Sequence, residues 1–223
     1  MARMELYGTV HKGLRAALFS ATARAAGSDF TSAAEARAAA ATARDLLGLL
    51  DEHAALEDAE IMPELARLGP EVHAALHDDH SRLDGLQRDL AAIAERLEAA
   101  EDAALREALG RRLHDRLGRL AAEHLLHMQR EEQEANRILW AHKSDEELRA
   151  LHGRITGRIP PARMARWLAV ILPAVSGPER SAMLGGLRAA VPPPAFGELT
   201  APARAALGEA TWASAFAAAG SQP

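Results

Sequence analysis

The chain has 223 residues and a mass of 23.8 kDa, enough for one compact domain or one and a half. Its 26 Lys and Arg against 31 Asp and Glu leave a net charge of −5, which argues against a binder that works by neutralising nucleic-acid phosphates. Cysteine is absent, which excludes disulfides, thiolate metal sites, iron–sulfur clusters and cysteine catalysis, and ten histidines, eight of them before residue 130, remain to be explained.

Ala and Leu dominate, with Glu and Arg between them, and strand signals are nearly absent, so the expectation is an all-helical fold. The pattern predicts helices over about 5–25, 32–68, 71–99 and 102–140. The first ends at Gly27-Ser28-Asp29 and the second at Gly69-Pro70; the break near residue 100 is placed by length alone. Short loops between long helices predict an antiparallel up-down-up-down four-helix bundle over residues 1–142. Residues 143–223 are expected to form an extension of short helices, about 145–157, 161–175, 177–190 and 200–218, packing on the bundle or on a partner. Ser144 with Glu147, and Ser176 with Glu179, have the spacing of capping boxes, and Pro160-Pro161, Pro173, Pro192-Pro193-Pro194 and Pro202 divide the pieces. Met1–Tyr7 contains no apolar leader core and no stretch is long enough for a membrane span, which points to a cytoplasmic protein with no membrane partner.

A bundle core needs inward stripes with a period near 3.5. The fourth helix supplies Leu113, Leu117, Leu120, His124, His127, Glu131 and Ile138. The third gives Leu76, His80, Leu83, Leu90 and Leu97, the second Leu46, Leu50, His53, Glu57, Ile61 and Leu65, and the first Val10, His11, Leu14 and Leu18. A lone histidine on such a stripe is usually a core or half-exposed residue. Two His-x-x-x-Glu pairs, His53/Glu57 and His127/Glu131, with histidines on both remaining helices, form a stronger pattern. At i,i+4 both side chains of a pair leave the same helix face. Burying these groups without partners is costly, and a metal removes the cost by turning neutral imidazole and carboxylate into ligands. Four nitrogens and two bridging carboxylates suit two adjacent first-row ions, with iron favoured and manganese or zinc as alternatives.

These residues resemble the hemerythrin-like (HHE) domain family. Val10-His11-Lys12-Gly13-Leu14-Arg15 is similar to its first-helix motif, and His53-x-x-x-Glu57-Asp58-x-x-Ile61-x-Pro63-x-Leu65 to its second. Asp79-His80-x-x-Leu83 and His127-x-x-x-Glu131-Glu132 are similar to its third and fourth, so the resemblance spans residues 5–140 in order. It implies an antiparallel four-helix bundle holding two iron ions with an oxo or hydroxo bridge. The implied ligands are His11, His53, Glu57, His80, His127 and Glu131, with Glu57 and Glu131 bridging. The oxygen-carrying members have a His-x-x-x-His pair on the third helix and place the last carboxylate five residues after the fourth-helix histidine. Here His73 and His77 have the pair spacing, His80 the better local context, and His77 becomes a seventh candidate. Glu132 competes with Glu131, which is preferred because it falls on the inner stripe. His124 is a candidate ligand, a hydrogen-bond partner or a core histidine. Glu60 is assigned either to the ligands' surroundings or to solvent, and His114, His142 and His152 to the surface.

With one histidine fewer than the carriers, the implied site looks less like an oxygen carrier than like a sensor of O₂, NO or redox state, with peroxide as a further small ligand. A di-iron peroxidase, oxidase or oxygenase of a small molecule, with the C-terminal helices closing the pocket, is the second reading. A metal-free helical interaction module is the third, and a homodimer through the C-terminal helices is a further expectation. Gly185-Gly186 lacks the context of a phosphate loop, and Arg154, Arg158, Arg163 and Arg166 read as a solvated helix face.

Overall fold

The computed structural model describes residues 3–219, and all regular structure among them is helical. In chain order the helices are α1 (Gly8–Gly27), α2 (Ala33–Glu60), α3 (Met62–Leu68), α4 (Pro70–Ala99) and α5 (Ala103–Arg130). A π-helical turn (Glu131–Ala135) leads into α6 (Asn136–His142). Then follow α7 (Asp145–Gly157), α8 (Pro161–Ala174), α9 (Gly177–Ala190), α10 (Pro193–Leu207) and α11 (Glu209–Ala219). The chain divides into two compact units. Among the described residues one comprises 3–7 and 17–155, the other 8–16 and 156–219.

In the first unit α4 packs against both α2 and α5, and α3 packs against α4 and α6. α2 starts at Ser32, whose side chain accepts the Glu35 amide, and α5 starts at Asp102, which accepts the Leu105 amide at 2.7 Å. The expected helix over 32–68 is interrupted at Ile61. Pro63 has no N–H to offer the carbonyl of Ala59, so the ladder breaks and restarts as α3.

The inward stripes are buried much as the pattern implies: Leu46, Leu50, His53, Glu57, Ile61 and Leu65 along α2 and α3, and Leu76, Leu83, Leu90 and Leu97 along α4. The stripe of α5 departs in one place. Past Glu131 the buried positions are Ala135, Asn136 and Leu139, and Ile138 is only partly covered. The π turn accommodates one extra residue, which moves the inner face on by one position, from 138 to 139. Leu139 joins Leu6, Tyr7, Ile61, Met62, Leu65, Leu76, Leu148 and Leu151 in an apolar cluster. The Trp140 indole donates to the Met4 carbonyl at 2.8 Å, and Arg3 pairs with Asp145 at 2.7 Å, fastening the N-terminal strand of chain to this end. At the other end Arg106 is buried and donates to the carbonyls of Phe30, Thr31, Ala100 and Glu101, tying two interhelical turns together.

In the second unit α8 packs on α10 and α9 on α11, around Leu168, Leu172, Leu184, Ala203, Trp212 and Ala215. Both capping boxes form. Ser144 and Glu147 each accept the other's amide, and so do Ser176 and Glu179. A single helix over 200–218 is not found. Pro193 and Pro194 occupy the first turn of α10, where no N–H is required, so the proline run starts a helix instead of separating two. α10 continues through Pro202 to Leu207. Gly208, at φ 76°, then separates it from α11, a conformation that a side chain would strain.

Candidate metal centre

α2, α4, α5 and the π turn bring polar side chains into an otherwise apolar interior. His53 and Glu57 project from α2, His80 from α4, His127 from α5, and Glu131 opens the π turn. His53, Glu57, His127 and Glu131 are all buried, and the His80 ring is mostly covered. Glu57, His80, His127 and Glu131 each offer one ligand atom within 4.8 Å of the others. His53, Glu57 and Glu131 do so as well. Both carboxylates therefore belong to both sets. His53 Nε2 lies 3.1 Å from Glu57 Oε1, His80 Nε2 lies 3.6 Å from Glu57 Oε2, and His127 Nε2 lies 3.4 Å from Glu131 Oε2. The His80 and His127 rings meet edge to face at 4.8 Å.

The surroundings are polar in an ordered way. His80 Nδ1 is 3.0 Å from Asp58 Oδ1. A carboxylate only accepts, so Nδ1 carries the proton and Nε2 presents its lone pair to Glu57. Asp79 is 3% exposed, and its Oδ2 stands 3.7 Å from His127 Nδ1. Arg130 pairs with that same oxygen and Arg82 with the other at 2.8 Å, so two guanidinium groups hold the Asp79 carboxylate group in place behind the His127 ring. Burial first, and then the charge of Glu131, pushes the Glu57 carboxyl well above the usual carboxylate range. Tyr7, the single tyrosine, is buried, and its phenol is pushed upward by burial and by the charges of Glu131 and Glu57.

The donor set fits a first-row metal ion. Both Glu57 oxygens and His80 Nε2 are buried and accept no well-directed hydrogen bond. Buried polar atoms are rarely left so, and a cation among them satisfies all three at once. Nitrogen and oxygen are the only ligand types present, which favours iron, manganese or zinc over ions that require thiolate.

The remaining candidates lie elsewhere. His77 is exposed and stacks on His73 at 6.2 Å, so it stays out of the cluster. Three residues before His80, it sits about 60° round α4, toward solvent. Glu132 is half-buried and belongs to neither set, whereas Glu131 is 2% exposed. His124 is buried with its ring 6.2 Å from His127, outside both sets. His11 is fully buried on the first turns of α1, in the stretch grouped with the second unit. Glu60 is buried and pairs with Arg154 at 2.9 Å, and Arg154 itself stays exposed, as expected of a solvated helix face. Asp79, Gln87 and Tyr7 escaped the sequence reading. Tyr7 stood out only as the chain's lone tyrosine, and Asp79 only as the neighbour of His80.

Protein-family models, curated proteins and solved structures were compared with the chain, and none matches it.

A cavity of about 230 Å³ adjoins the cluster and shares His53, Glu57, His80 and His127 with it. The cluster is therefore walled by helices on most sides and reachable by a small molecule on one.

Proposed function

We propose that this is a non-haem di-iron protein of hemerythrin-like type, an antiparallel four-helix bundle that binds or senses O₂, NO or redox state. The observation that carries the reading is the sharing of Glu57 and Glu131 by two overlapping ligand sets, the arrangement that two bridged ions require. In this reading His53, His80 and His127 are terminal ligands, and His11 is the sixth by its place in the sequence pattern. A bound iron pair supplies one-electron redox chemistry and an open coordination position for a diatomic ligand.

The chain's own residues do the rest. Asp58 fixes the proton of His80 on Nδ1 and keeps Nε2 available. Asp79, neutralised by Arg82 and Arg130, backs the His127 ring and holds its orientation. The burial of Glu57 and Glu131 excludes bulk water and strengthens every charge interaction inside. Tyr7 keeps its proton at neutral pH and places a neutral hydroxyl within the electrostatic reach of both carboxylates.

A di-iron oxidoreductase of a small molecule is the second reading, favoured by the cavity beside the cluster. Metal analysis after expression with iron tests both. About two iron ions per chain, lost in Glu57→Ala and reduced in His11→Ala, is the expected result. A content below about 0.2 per chain, in a protein no less stable after either substitution, sinks both.

A further inference from the structure

The cavity beside the cluster has a second wall that no metal ligand explains. Gln87 on α4 is 7% exposed, and its Oε1 is buried with no donor reaching it. An amide oxygen in that position is costly unless a ligand or water fills the gap. The same cavity is lined by Asp51 and Asp58 from α2 and by Asp84 from α4, and no lysine or arginine lines it. Asp58 is engaged by His80, and Asp84 is paired with Arg88 at 2.9 Å, which leaves Asp51 as the carboxylate that no cation holds. Leu50 and Leu83 supply an apolar side. Asp84 and Gln87 lie three apart on α4, and Leu83 and Gln87 four apart, so all three share a helix face.

The lining thus offers acceptors, negative charge and an apolar strip, and asks for a donor with positive charge on a short carbon chain. We propose that the cavity binds a small aliphatic primary ammonium ion. It donates to Gln87 Oε1, its charge is met by Asp51, and its carbon chain lies against Leu50 and Leu83. A hydrated divalent ion is drawn by the same carboxylate but makes no use of the apolar wall. The inference rests on the metal reading only for what the amine lies beside, since the binding groups named here are not the proposed iron ligands.

Titration of the full chain with n-butylammonium, butan-1-ol and butyrate, followed by calorimetry and ligand-observed NMR, tests this. It is done with and without iron, and the iron content of each sample is measured. The expected result is one saturable site for the ammonium ion, with the alcohol and the carboxylate at least about tenfold weaker. Gln87→Leu weakens ammonium binding by about tenfold or more. Asp51→Asn, at an exposed position that does not threaten the fold, weakens it by about threefold. Equal affinity for butan-1-ol, an unchanged affinity in both variants, or displacement by magnesium with Gln87→Leu silent overturns the proposal. Ammonium binding in a chain that takes up no iron sinks the metal reading alone, and two irons without ammonium binding sink this proposal alone.

Discussion

Glu57→Gln separates what the cluster costs the fold from what it does with a metal. In the metal-free protein Glu57 is 4% exposed, its two oxygens lack directed donors, and Glu131 adds a second buried carboxylate nearby. Each buried polar group left without a partner costs about 1–3 kcal/mol. Gln has nearly the same shape, carries no charge, and turns one acceptor into a donor facing Glu131. The substitution is therefore expected to stabilise the metal-free chain by about 1–3 kcal/mol, against the usual trend for buried positions. For a chain of this size that is about 2–4 °C per kcal/mol, or roughly 2–12 °C in melting temperature. Iron reverses the order. If Glu57 is a ligand as proposed, then at a free concentration a hundredfold above Kd wild type gains about 2.7 kcal/mol, and the variant, lacking that carboxylate, gains far less. Calorimetric melts in chelator and in anaerobic ferrous iron measure both shifts. A metal-free Glu57→Gln that melts below wild type, or one that keeps the full iron-dependent rise, refutes the reasoning.

Asp58→Ala leaves His80 free to turn or to change tautomer, and metal affinity measured by chelator competition should fall by about 10–100-fold, whereas a change within twofold removes Asp58 from the account. Two glycines of α5 should respond with opposite signs. At Gly110 an added Cβ would stand 2.2 Å from the Phe30 ring, so Gly110→Ala should destabilise by about 1–3 kcal/mol despite its better helix propensity. Nothing lies within 4 Å of a Cβ at Gly118, and Gly118→Ala should stabilise by about 0.5–1 kcal/mol in denaturant titration. Glu179 is held at a pKa of about 2, by the Lys12 ammonium at 2.6 Å first and by the Ser176 cap second. Its folded value lies below its unfolded one, so its contribution is complete above about pH 4.5 and is lost as pH falls toward 2. The difference in melting temperature between wild type and Glu179→Gln should shrink across that window, and a difference that stays constant to pH 2.5 contradicts the assignment.

Periodicity carried much of this architecture. Leu46 to Leu65, Leu76 to Leu97 and Leu113 to His127 are buried where a 3.5 to 3.6 repeat places them, because side-chain direction on a helix is a local property. Both capping boxes were legible for the same reason: their partners are three residues apart. Glu131, chosen over Glu132 from the stripe alone, is the more buried of the two. Local reasoning failed where backbone accounting changed. Pro63 removed one donor, and the π turn moved the buried face from Ile138 to Leu139. The proline run at 192–194 was taken as a separator because proline breaks helix interiors, although it fits first turns equally well. Asp79 and Gln87 could not be found by spacing. Their roles come from Arg130 and from the Asp51 wall on other helices, and no interval along one helix encodes that.

The π turn also sets how this stretch tolerates changes in length. Substitutions between 131 and 135 alter one side chain each, and losing a single codon from 132–134 restores an uninterrupted α-helix in which the residues beyond keep their faces, because the turn already carries the surplus residue. Leu139 would stay in the apolar cluster it shares with Leu6, Tyr7 and Met62, and Trp140 would stay on the side that faces Met4. A one-residue deletion inside the unbroken turns of α4 or α5 has no such slack and turns everything beyond it by about 100° about the helix axis. In a library of single-codon deletions, positions 132–134 should be among the most forgiving places within the helices.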